Sequence, residues 1–178
     1  VWALEQAIDS EPNNAEAWHL LSMAANNSGT LPVPLHFAQK LIQLQPQEAQ
    51  PHATLATAHR LNGNLNKALS SYEASLAKNP SFSEAIAGKA EVLESLGRTE
   101  EAQTLLNKAP PSDSVLIALA KVRIARKLHQ PEVALAALDD ATTPALSQYH
   151  KSNLLMHKGR VLEELQRYEE AWEAWEEG

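Results

Sequence analysis

The sequence predicts an all-α fold, a right-handed α-α superhelix or solenoid built of helix–turn–helix units. Three observations predict it. Pro12, Pro46 and Pro80 stand 34 residues apart. Gly29, Gly63 and Gly97 repeat the same step between them, and Ala68 and Ala102 share it once more. Two interleaved punctuation marks at one fixed period mean a repeated unit, and a period of about 34 residues points to a helix–turn–helix repeat. Arrays of that kind hold partners on extended surfaces and seldom react with them.

The remaining bulk properties narrow the field. The 178 residues correspond to about five such units. Apolar residues make up 44% and aromatic residues only 5%. Alanine and leucine therefore carry the core, as helix-on-helix packing prefers. A net charge of −7 argues against a dedicated nucleic-acid binder, which is normally basic. No apolar run is long enough for a membrane span, so direct membrane insertion is not expected. Without cysteine there are no disulfides and no thiolate metal sites. That fits cytoplasm and periplasm equally. The chain begins at Val1 with neither a methionine nor a signal segment and reads as a piece of a longer protein.

Each element can be justified in turn. Residues 1–12 read as the second helix of a unit whose first helix is missing. In unit 13–46, Trp18, Leu21, Ser22 and Ala25 recur at helical spacing over Ala15 to Asn27. Gly29 breaks that helix, and Pro34 delays the next one, whose apolar face is Leu35, Ala38, Leu41 and Ile42. Unit 47–80 repeats the plan with Leu55, Ala56 and His59, then Gly63, then Ala68, Tyr72 and Leu76. Unit 81–112 does so with Ile86, Ala90, Leu93, Gly97, Ala102, Leu106 and Ala109, and Pro110 and Pro111 end it.

Unit 113–143 is irregular. Asp113 is placed to cap a helix from about Ser114 to Leu128. Pro131 opens its partner, which packs through Ala134, Leu138 and Ala141. No glycine marks the turn at His129 and Gln130. Unit 144–178 starts on Thr143 and Pro144 as one long helix to about Leu165. Leu155, Gly159, Leu162, Tyr168, Ala171 and Trp175 follow at repeat spacing, and no capping helix comes after them. Both ends are open, which leaves self-association through them as an option.

The segments AEAWHLLSMAANNSG…LQP, ATLATAHRLNGNLNKALSSYEASLAKNP and SEAIAGKAEVLESLGRTEEAQTLLNKA resemble tetratricopeptide repeats (TPR), nearly throughout the chain. Two antiparallel helices that approach closely need a small residue at the crossing. Ser22, Ala56, Ala90 and Gly159 fill that place on first helices, and Ala68, Ala102, Ala134 and Ala171 on second helices. Lys89, Lys121 and Lys158 depart from the family pattern, standing where a large apolar residue is usual. Lysine can lay its stem on the core and lift its charge outward.

A search for chemistry finds no phosphate-binding glycine loop, Gly-x-Ser-x-Gly, His-Glu-x-x-His or calcium loop. His52 with His59, and His150 with His157, recur at seven residues. That is two helical turns, roughly 10 Å, too far to share one metal ion. No catalytic residue, cofactor or metal is expected.

The resemblance implies a concave groove lined by first helices. Its candidates are His19 and Met23, Thr57 and Arg60, Glu91 and Glu94, Leu119, Arg123 and Arg126, and Met156 and Arg160. Two readings of Arg123, Arg126 and Arg160 stand side by side. They form a basic floor for an acidic or carboxylate-terminated peptide, since guanidinium holds carboxylate bidentately, or they pair with neighbouring glutamates and only solubilise the groove. The chaperone-tail clamp of related arrays is absent: His19, Met23, Ala53 and Thr57 stand in its places.

The expectation is thus a non-catalytic scaffold that binds a protein or peptide segment in its groove. The alternative is the non-catalytic arm of a larger enzyme, a sulfotransferase or a glycosyltransferase. The last segment, KGRVLEELQRYEEAWEAWEEG, is similar to the repeat preceding the sulfotransferase domain of some bacterial fusion proteins.

Overall fold

The computed structural model describes residues 2–29, 32–110, 114–141 and 146–178, with side chains from Gln6 onward. Among the described residues there are eleven α-helices and no strand. They fall into two compact units, Val1–Leu96 and Gly97–Gly178.

The first unit holds α1 (Trp2–Ser10), α2 (Ala15–Asn27), α3 (His36–Leu44), α4 (Ala49–Leu61), α5 (Leu65–Lys78) and α6 (Ser83–Ser95). Each helix packs on the next, and α2, α4 and α6 also touch one another in sequence. Among the described residues α3 and α5 do not touch. A layer whose helices meet, backed by a layer whose helices do not, curves toward the side that meets. The face of α2, α4 and α6 is therefore concave.

The prolines and glycines explain the period. Pro12, Pro46 and Pro80 each follow the first residue of a turn closed by a backbone bond. These bonds are Asn14 N–H to Glu11 O at 3.0 Å, Glu48 to Gln45 at 3.3 Å and Phe82 to Asn79 at 3.1 Å. Proline's fixed φ suits the second position of such turns. Gly29, Gly63 and Gly97 all have positive φ, at 68°, 73° and 76°. No neighbour crowds their missing Cβ, so backbone conformation and not space selects glycine there.

At Gly63 the helix ends in a Schellman pair: Asn64 N–H donates to His59 O, and Gly63 N–H to Arg60 O, both at 2.9 Å. As expected, α3 starts late, after Pro34. The preceding loop is tied to that second turn by two bonds. Val33 N–H donates to Asn62 Oδ1 at 2.6 Å, and Asn62 Nδ2 to Val33 O at 2.9 Å.

The second unit holds α7 (Thr99–Asn107), α8 (Val115–Lys127), α9 (Pro131–Ala141), α10 (Gln148–Glu164) and α11 (Tyr168–Glu177). Successive helices pack, α8 touches α10, and α9 does not touch α11. The concave side therefore belongs to α8 and α10. The turn without glycine is built in the same way: His129 takes φ 56°, with Gln130 N–H on Ala125 O at 2.9 Å. Gln166 does the same at φ 60°. The expected caps at Asp113 and at Thr143–Pro144 lie outside the described residues. The described helix begins at Gln148, where Ser147 Oγ accepts from His150 N–H at 3.4 Å.

All eight small crossing residues are buried. A Cβ on Gly159 would overlap the Trp175 indole, and one on Gly88 would overlap the Tyr72 ring. Two of the lysines in apolar places reach an acid on the preceding second helix. Lys89 Nζ lies 3.0 Å from Glu73, and Lys158 Nζ lies 2.7 Å from Asp139.

Candidate functional site

On the concave face of the first unit several side chains engage one another. On α2, His19 Nε2 accepts from Gln50 Nε2 of α4 at 3.0 Å, and Met23 is exposed. On α4, Thr57 Oγ1 lies 3.0 Å from the hydroxyl of Tyr72, which comes through from α5. Arg60 Nη1 meets Glu91 Oε1 of α6 at 3.1 Å. Burial pushes the Glu84 carboxyl up, against a smaller opposing pull from His19. Arg60 and Glu91 form an ion pair, while Arg60 Nε and His19 Nδ1 are buried without a hydrogen-bond partner.

The second unit differs. A cleft of two hollows that share Tyr149 and Asn153 starts between α8 and α10 and continues along α10 alone. The larger, about 560 Å³, is walled by Leu116, Leu119, Leu146 and His150. The smaller, about 310 Å³, runs on past Ser152, Met156 and His157 to Arg160. Helical spacing along α10 makes this continuous, because Tyr149, Asn153, Met156 and Arg160 fall on one face. Leu116, Tyr149 and Met156 are 53%, 75% and 44% exposed. They are three of the large apolar side chains that the second unit leaves exposed.

The charges at the far end are unequal. Arg126 is bound to Glu164, with Nε 2.8 Å from Oε1 and Nη2 on the same oxygen. Arg123 is also engaged within the protein. Arg160 is exposed and lines the cleft with no ion pair among the described residues. Burial pushes the His157 imidazole down, and the nearby guanidinium groups of Arg160 and Arg126 push it further. His157 is therefore largely neutral at pH 7, and Arg160 is the cation presented to the cleft. Asn153 Oδ1 is buried without a hydrogen-bond partner.

The sequence candidates divide accordingly. His19, Met23, Thr57 and Arg60 lie on the first unit's concave face, and Leu119, Met156 and Arg160 line the α8–α10 cleft. Sequence reasoning missed Leu116, Tyr149 and Asn153, and weighed His157 only as a metal ligand. The signal was present: Leu116 precedes Leu119 by three residues, and Tyr149 and Asn153 precede Met156 by seven and three. Extending each helical face by a turn finds them.

Among the described residues no three His, Asp or Glu side chains converge on a metal-sized site. No described helix is long and apolar enough to cross a membrane.

Two family models match the sequence, both described as tetratricopeptide repeat, over residues 59–124 and 119–178. No curated protein matches it. Solved structures do. The thermophilic TPR protein TTC0263 of Thermus thermophilus superposes with a TM-score of 0.75 at 21% identity, covering 89% of this chain and 87% of that one. Pseudomonas aeruginosa PilF gives 0.74 at 16% identity, covering 92% and 74%. YrrB, described as a TPR protein with an unusual peptide-binding site, gives 0.57 at 15% identity, covering 98% and 90%. At these identities the likeness shows the fold.

Proposed function

The chain belongs to the tetratricopeptide repeat family, and on that premise we propose that it is a non-catalytic scaffold whose concave groove binds an extended segment of a partner protein. Repeat arrays present extended concave surfaces that bind other chains. The observation that carries the reading is a coincidence on one face. The cleft that starts between α8 and α10 and continues along α10 joins exposed Leu116, Tyr149 and Met156 to Arg160. A lone guanidinium inside a chain of net charge −7 favours a carboxylate-bearing segment, because it offers a planar fork of donors. YrrB, whose fold this chain shares, carries a peptide-binding site in its own description.

The test is a display library of random ten-residue peptides panned on the purified chain, with an Arg160→Ala, Met156→Ala variant panned beside it. Enrichment of acidic, apolar-containing sequences on the parent but not on the variant is expected. Equal enrichment on both would remove the groove from consideration.

A further inference from the structure

The cleft has a polarity that the family fold does not dictate. One end is apolar on several sides, with Leu116 and Leu119 from α8, Leu146 just before α10 and Tyr149 at its start. The other end holds Arg160. Asn153 belongs to the walls of both hollows, and its buried Oδ1 has no partner. A buried acceptor left without a donor is unfavourable, and an incoming N–H relieves that. An extended main chain lying along the cleft carries such N–H groups.

The distance between the two ends sets a spacing. From His150, at the apolar end, to Arg160 is ten residues of helix, or about 15 Å. An extended segment covers that distance in roughly four to five residues. The Arg160 side chain is exposed at the rim of the cleft. Side chains of an extended segment stand off its main chain, so a carboxylate carried on one can reach the rim. Arg126, bound to Glu164, does not compete for it.

We infer that the α8–α10 cleft selects an extended segment carrying one large apolar side chain and, about four to five residues away, an aspartate or glutamate side chain, with Asn153 accepting a main-chain N–H between them. The inference rests on the groove-binding reading above and adds the chemistry, the spacing and the anchoring residue.

Fluorescent twelve-residue peptides test it by anisotropy on the whole chain. The probe has one Leu and one Glu five positions apart in an Ala/Ser background, with an amidated C-terminus. Controls replace Leu with Ala, replace Glu with Gln, or bring the two residues adjacent. Each control is expected to bind roughly tenfold more weakly, the scale of one good charge-assisted contact or one lost apolar anchor. Arg160→Ala removes the preference for Glu over Gln and keeps that for Leu. Arg160→Glu transfers the preference to a Leu–Lys probe. Asn153→Ala weakens the matched probe several-fold, with helicity checked by circular dichroism. A free C-terminal carboxylate in place of the amide changes nothing.

Binding that ignores the spacing, or that gains as much from a terminal carboxylate as from the Glu side chain, overturns this inference and leaves groove binding standing. Library panning that enriches nothing removes both.

Discussion

The hydroxyl of Tyr72 on α5 lies 3.0 Å from Thr57 Oγ1 on α4. Tyr72 is 1% exposed, so this pair carries a polar group from the outer helix layer to the concave face. Burial pushes the Tyr72 phenol up, with Thr57 and Arg60 pulling weakly the other way. It stays neutral and its hydrogen bond is a neutral one. Tyr72→Phe is expected to cost about 1 kcal/mol, the net worth of such a bond. Urea unfolding of Tyr72→Phe, Thr57→Val and the double variant checks this. Strict additivity would mean that the two hydroxyls do not support each other.

Gly159 on α10 lies under the indole of Trp175 on α11, where an added Cβ would overlap the ring. Glycine inside a helix costs up to about 1 kcal/mol relative to alanine, but overpacking a rigid ring costs roughly 1–3 kcal/mol. Overpacking wins. Gly159→Ala should lower stability by about 1–2 kcal/mol. In a Trp175→Ala background the sign should reverse, because propensity alone remains. A loss of equal size in both backgrounds would place the strain elsewhere.

How much of this was legible in the sequence depends on what each residue answers to. The turn residues answer to backbone geometry, which is local. Pro46 and Gly63 therefore announced their turns, and α2 runs from Ala15 to Asn27 as its apolar spacing implies. His129 was silent because a non-glycine residue in the left-handed region leaves no compositional mark, though the bonds around it are those of Gly63. The site was half legible. Leu119, Met156 and Arg160 share the cleft with residues one turn away. What sequence did not reveal was the pairing. Arg126 and Arg160 look alike in the chain, and only the packing of α8 on α10 brings Glu164 to one of them.

His129 and Gln166 hold φ 56° and 60°, where a Cβ costs about 1–2 kcal/mol. Glycine removes that strain but loses about 0.4–1 kcal/mol through the freer unfolded chain. The difference favours glycine. His129→Gly and Gln166→Gly should each stabilise by roughly 0.5–1 kcal/mol. Differential scanning calorimetry should show a rise of about 2–4 °C per kcal/mol for a chain of this size. A lower melting temperature in both variants would mean that the side chains contribute more than the strain costs.

His157 gives the fold a pH dependence of defined sign. Burial, then Arg160 and Arg126, hold its imidazole below the ordinary value of 6.5. Between that value and its lower folded one, the unfolded chain binds more protons than the folded chain. Stability therefore falls as pH drops through about 6.5 and is fully regained above it. His59, lowered by burial and by Lys67, adds in the same direction. Glu84, raised by burial, acts oppositely, since acidification favours its folded, protonated form. Comparing parent with His157→Gln removes both of those contributions. The parent should lose more stability than the variant between pH 7.5 and pH 5.5, read as the shift in urea midpoint. Parallel losses in the two proteins would mean that His157 titrates as freely in the fold as outside it.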